Sequence, residues 1–325
     1  MYKNIEKSKL LKDLFIFILS LIIFLSFYDI SIDKRMSMDI NKIKFDEDTI
    51  VLNWTNMKND FEFLVDKYKY LIENETNIPE DSPIWMMWYQ GIENVPPIVK
   101  TCFASIFKNR GKHPIYILNK NNINKYLRLP RYIIEKFKKG IIRMAHFSDI
   151  IRMGLLLKYG GYWIDSSYFI TTPLEKVNTN FFTLKPRHCF VQNHPFIDCS
   201  FSINFLAVPK NSFIAAYSFA SLLFYWKKYN STICYFLLDY IFKIAYNKLP
   251  KFKKIIDDQP YIECDIFSLY YELNKVYDKN TFKCPYNKLN KSGKFIEYIK
   301  TNFGYITENY EFNLENESNN NINYK

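Results

Sequence analysis

Apolar residues recur every third or fourth position over residues 58–74, at Phe61, Leu64, Val65, Tyr68, Leu71 and Ile72, which predicts an amphipathic helix. The polar stretch that follows, residues 74–83 with Pro79 and Pro83, reads as a hinge. Residues 84–89 predict a first strand, Pro96 and Pro97 open a helix that runs through Phe107, and residues 115–118 predict a second strand. Another helix, over 130–139, stops at Gly140. Ile150, Ile151, Met153, Leu155 and Leu156 then give a wide apolar face to a helix predicted to begin near Ser148. Asp149 falls in its first turn, Lys158 in its last, and Gly160 supplies the left-handed cap. Tyr162, Trp163 and Ile164 form a buried-strand signal that delivers Asp165 at the carboxyl end of the strand. Beyond Pro173 the pattern blurs, although residues 213–228 and 233–246 still read as helices. Strands that alternate with helices predict an α/β sheet of largely parallel strands.

Residues 14–28 are apolar except for Ser20, Ser26 and the hydroxyl of Tyr28. As a helix this run would be about 22 Å long, shorter than the roughly 30 Å hydrocarbon core of a bilayer. Basic residues flank it evenly, with Lys3, Lys7, Lys9 and Lys12 before and Lys34, Arg35, Lys42 and Lys44 after, so charge gives no orientation. The expected organisation is a membrane-associated segment over 1–30, a helical extension over 31–77, a main domain over 78–290, and a polar, disordered tail over 291–325.

A chain of 325 residues is long enough to bury a sizeable core. Its net charge of +11 is spread along the chain, which suits either a solvated lysine-rich surface or an anionic partner such as membrane lipid or a diphosphate. Nucleic acid is the weaker partner, because no zinc-finger or RNA-recognition signature accompanies the charge. The six cysteines are scattered and contain no Cys-x-x-Cys, so they read as reduced thiols of a cytosolic protein. Cys264 and Cys284 remain a possible pair in an exported domain. His188, Cys189, His194 and Cys199 have no standard zinc spacing.

In a sheet of this class ligands bind beyond the carboxyl ends of the strands, which is where Asp165 falls. The segment Ser148-Asp149-Ile150-Ile151-Arg152, then Gly160-Gly161, Tyr162-Trp163-Ile164 and Asp165, resembles the capsular polysaccharide synthesis family of glycosyltransferases. That family is related to glycosyltransferase family 32 and to the catalytic domains of glucosylating toxins. Ile84-Trp85-Met86-Met87-Trp88-Tyr89-Gln90-Gly91, Tyr225-Trp226 and Asp239-Tyr240 extend the match. The resemblance implies a GT-A-like, Rossmann-type mixed sheet flanked by helices. It also implies transfer of a sugar from a nucleotide sugar to a glycan or lipid-linked acceptor, with retention of configuration. Because nucleotide sugars are made in the cytosol, the expected location is the cytoplasmic side of the membrane. A type II anchored enzyme is the alternative. Wider relatives end the motif in Asp-x-Asp, whereas this chain has Asp165-Ser166-Ser167.

The resemblance assigns Asp165 to the diphosphate and, with Ser167, to a divalent cation, manganese or magnesium. A hydroxyl is a weak ligand for either ion, which leaves strict metal dependence open, and Asp257 and Asp258 are candidate sources of a second acid. Asp149 and Arg152, three apart on one helix, are either an ordinary intrahelical pair or the residues that border the donor sugar, next to Ser148. Trp88 matches a tryptophan that stacks on the donor base, although Trp85 stands close by and a core role fits either ring. His146 reads as structural. The loss of the second carboxylate also feeds a different reading, a tethered protein that binds nucleotide sugars without turning them over.

Overall fold

Ten short strands are present among the residues that the computed structural model describes, which are 47–174, 179–187, 200–291, 301–310 and 322–323. They are β1 (Ile84–Met87), β2 (Ile115–Leu118), β3 (Gly161–Ile164), β4 (Tyr168–Ile170), β5 (Phe182–Thr183), β6 (Lys185–Pro186), β7 (Phe205–Val208), β8 (Tyr261–Ile262), β9 (Tyr286–Lys288) and β10 (Ile322–Asn323). The helices of eight residues or more are α1 (Glu47–Tyr68), α2 (Pro97–Asn109), α3 (Arg131–Lys138), α4 (Met144–Tyr159), α5 (Phe213–Lys228), α6 (Leu237–Lys248), α7 (Pro250–Asp257) and α8 (Asn302–Asn309).

The central sheet runs β10-β2-β1-β3-β7-β5. β10, β2, β1 and β3 are parallel, and β7 turns antiparallel against β3. The sheet is therefore mixed. Its strands are only two to four residues long and carry apolar side chains on both faces, as covered strands do. Alternation along β1 and β3 sends Trp85 and Trp163 into a core shared with α1, α4, α5 and α6, while Ile84, Met86, Tyr162 and Ile164 face α2 and α8. Two helical layers thus enclose one sheet.

The junction between α4 and β3 is set by two glycines. Gly160 (φ 68°) and Gly161 (φ 94°) hold backbone conformations that side chains disfavour. A β-carbon on Gly161 would lie 2.1 Å from the carbonyl oxygen of Pro83, the same oxygen that accepts the Tyr162 N–H at 2.8 Å. From β1, the Trp85 indole donates to the Gly160 carbonyl at 3.0 Å. These contacts fix where β3 begins.

Several expectations change. α4 begins at Met144, one turn before Ser148, and its N-cap Arg143 makes no side-chain cap bond. Packing decides this: Phe147 stacks on Phe137 at 3.9 Å, and His146 is buried beside Trp226. The hinge at 74–83 joins two parts of a single core, since Met57, Phe61 and Val65 of α1 are buried with α5 and α6. Within the tail over 291–325, expected to be disordered, residues 302–309 form α8. α8 buries Phe303 and Ile306, with Thr301 accepting the Gly304 N–H at its start, and β10 lies beside β2. Apolar spacing inside an asparagine-rich composition produces that helix. Cys264 and Cys284 form a disulfide, so the cysteines are not all reduced thiols, whereas Cys102 and Cys234 are free and buried. No helix among the described residues is long and apolar enough to cross a membrane. The apolar run at 14–28 and the cluster His188, Cys189, His194 and Cys199 lie outside them.

Candidate active site

Asp165 follows β3 directly, and strand alternation puts it on the same face as Trp163, toward α4. Its backbone N–H donates to Asn204, at the start of β7, and its carbonyl accepts from Tyr168 at 3.0 Å to close a turn over Ser166 and Ser167. The carboxylate is fully engaged. Oδ1 accepts from the Trp163 indole at 2.8 Å and from Arg152 Nη2 at 3.2 Å, and Oδ2 accepts from Lys288 Nζ at 2.7 Å.

Arg152, 4% exposed, also brings Nη1 to within 3.3 Å of Asp149 Oδ1, so one guanidinium bridges the helix carboxylate and the strand-end carboxylate. It stacks on the Trp163 ring at 5.0 Å. Its Nε is buried and has no partner, while Nη1 meets Asp149 as an ion pair without a hydrogen bond; His146 Nδ1, 3.8 Å from Asp149, is buried without a hydrogen bond too. Unpaired buried donors carry a desolvation cost that an incoming acceptor would relieve. Ser148 is half-buried one turn before Arg152.

Burial raises the Asp165 carboxyl, but the charges of Lys288 and Arg152 outweigh it and hold the group below the ordinary Asp value. Burial likewise lowers the Lys288 ammonium, against the opposing pull of Asp165. Asp239, in the first turn of α6, feels this cluster too. Burial, then the Asp149 carboxylate, pushes it up to about 7, with Arg152 acting the other way.

The remaining sequence candidates separate cleanly. Trp85 is a core residue, 2% exposed, with its ring tilted against Tyr116 at 4.6 Å. Trp88, past the end of β1, is half-buried on the opposite face, with the Lys291 ammonium 5.7 Å from its ring and an indole N–H that has no partner. Asp257 and Asp258 pair on the surface with Lys253 and Lys254 and stay outside the cluster. Lys288 was missed because it stands in a lysine- and asparagine-rich stretch with no motif. The Asp239-Tyr240 match was the visible signal for Asp239.

A divalent cation on Asp165 and Ser167 does not fit this donor set. Both carboxylate oxygens already accept from cationic or indole donors, and Ser167 offers only a neutral hydroxyl as the second ligand. Among the described residues no three His, Cys, Asp or Glu side chains form a metal-holding group.

The sequence model of the family described as capsular polysaccharide synthesis protein matches residues 35–294. The chain belongs to that family. The capsular polysaccharide synthesis match takes in α1 as well as the whole Asp149–Arg152–Asp165 site. The O-glycosyltransferase braB of Annulohypoxylon truncatum is 25% identical over 112 residues, 32% of this chain and 27% of that protein. The chain therefore spans about a quarter of that relative's length. A solved structure titled PaToxG Glycosyltransferase is similar with a TM-score of 0.41 and 14% identity, over 64% of this chain and 83% of that one.

Proposed function

We propose that this protein is a nucleotide-sugar-dependent glycosyltransferase of GT-A-like architecture, moving a hexosyl group to a glycan or lipid-linked acceptor in surface polysaccharide assembly, with retention of configuration. One observation carries this reading. Arg152 bridges Asp149 and Asp165 at the carboxyl end of β3 while its buried Nε has no partner. Carboxylates accept sugar hydroxyls, and the unpartnered Nε–H suits an oxygen of a phosphorylated sugar.

In the reaction the bond from the anomeric carbon to the diphosphate oxygen breaks, and the diphosphate leaves with the electron pair. The acceptor oxygen bonds to that carbon, and its proton passes to the departing phosphate oxygen. Negative charge grows on the leaving group, so cationic donors set in advance around it supply the largest stabilisation. Asp149 orients the sugar, Asp165 holds the cationic side chains in place, and Trp88 offers a face to the base.

Two locations fit the membrane-surface setting of such an acceptor. Donors made in the cytosol favour the cytoplasmic side. The Cys264–Cys284 disulfide favours the type II alternative, with the domain in an oxidising compartment. Alkylation of unreduced protein separates them: protection of both cysteines supports the second location and free thiols support the first.

The test of activity is release of nucleoside diphosphate from a panel of UDP-, GDP- and dTDP-linked sugars by the full-length protein. We expect turnover of at least one donor. Binding of a donor without hydrolysis or transfer, even with membrane extracts as acceptor, would leave a non-catalytic binding protein.

A further inference from the structure

Lys288 is placed by its strand. β9 pairs antiparallel with β4 in a register that sets Lys288 opposite Tyr168, three residues after Asp165. The backbone N–H of Lys288 donates to Ile266 at 2.7 Å, and that of Leu289 donates to Ser167 at 2.8 Å. The ammonium, 4.8 Å from the Tyr168 ring, gives one of its three N–H bonds to Asp165. Lys291, three residues on, lies over Trp88. The β9 end of the chain thus runs from the Asp165 carboxylate toward the tryptophan, with a cation at each point. A nucleotide sugar has the same order: sugar, diphosphate, base.

Accepting the transferase reading above, on which this inference rests, we propose that Lys288 compensates the charge of the departing diphosphate in the place where Asp-x-Asp relatives would hold a divalent cation. Two features converge on it. Ser167 stands where the second carboxylate would be, and the remaining carboxylate already bonds an ammonium at 2.7 Å. A carboxylate held between Lys288 and Arg152 is charge-compensated, so it attracts a further cation weakly. The ammonium donates hydrogen bonds to the phosphate oxygens throughout and keeps its proton, so the balance of the reaction is unchanged.

The experiment is calorimetry of the full-length chain with UDP, GDP and inorganic pyrophosphate, in excess chelator and again with Mn²⁺, followed by donor turnover in the same buffers. We expect diphosphate binding and turnover to agree within about twofold in the two buffers. Lys288→Met, which keeps the aliphatic stem, should weaken diphosphate binding by at least about tenfold and turnover by at least about a hundredfold, with no rescue by Mn²⁺. Lys288→Arg should recover part of both, which guards against a loss caused by misfolding. Binding or turnover that appears only with Mn²⁺, or a Lys288→Met protein that binds as the wild type does, overturns the proposal and leaves the transferase reading standing. If none of the three probes binds in either buffer, the transferase reading falls and the proposal falls with it.

Discussion

Arg152→Lys tests whether the bridge between Asp149 and Asp165 serves the donor or only the helix. Lysine keeps the charge but loses the planar fork. It can meet one carboxylate, where the guanidinium approaches Asp149 at 3.3 Å and Asp165 at 3.2 Å. One ionic contact is worth about 1–2 kcal/mol after desolvation, and stacking on Trp163 about 1 kcal/mol more. The loss is therefore about 2–3 kcal/mol. If the donor sugar and its phosphate depend on this side chain, kcat/KM per folded molecule falls roughly 30- to 150-fold. Because Arg152 is buried, the urea midpoint falls as well, so activity must be normalised to folded protein. A double-mutant cycle with Asp149→Asn separates the roles: coupling in kcat/KM marks donor binding, and coupling confined to the urea midpoint marks a structural pair. Wild-type kcat/KM in folded Arg152→Lys protein would refute the assignment.

Asp165→Asn should lower turnover by at least about two orders of magnitude, because Lys288 and Arg152 lose their common anchor; a folded variant that still releases diphosphate at near the wild-type rate would contradict this. Gly161→Ala should cost about 3 kcal/mol or more, since its β-carbon meets the Pro83 carbonyl at 2.1 Å in a backbone conformation with φ 94°, and an unchanged urea midpoint would sink the steric argument. Glu75, which accepts the Phe213 N–H at 2.6 Å at the start of α5, is pushed up to about 7, mainly by burial. A folded value above the ordinary 4.5 means that its stabilising contribution is complete below pH 4.5 and lost as pH rises through 7. Glu75→Gln should therefore gain up to about 2 kcal/mol over wild type between pH 5 and pH 8, and parallel stability curves for the two proteins would rule this out.

Much of the fold was legible because punctuation and period agreed. β2 over Ile115–Leu118 and α5 over Phe213–Lys228 fall where the pattern put them, and α3 ends just before Gly140. The α4 start misled because Ser148 and Asp149 look like cap residues, whereas burial of His146 and Phe147 carries the helix a turn further back. The antiparallel turn of β7 was invisible, since four apolar residues do not encode direction. Asp149, Arg152 and Asp165 were readable as a local motif and are gathered by α4 and β3. Lys288 was not, because only long-range pairing of β9 with β4 brings it there.

That pairing has a consequence for how the chain comes off the ribosome. Asp149, Arg152 and Asp165 are made by the middle of the protein, but the cation that faces them arrives with β9, and the strand that covers the β2 edge arrives later still. Contacts of such sequence separation form late and slowly. A nascent or prematurely terminated chain that reaches only α7 therefore holds the core of α1, α4, α5 and α6 and the Arg152 bridge while the donor site still lacks Lys288. An unfinished molecule would carry a sheet edge open to pairing, a hazard that the pairing of β10 with β2 removes.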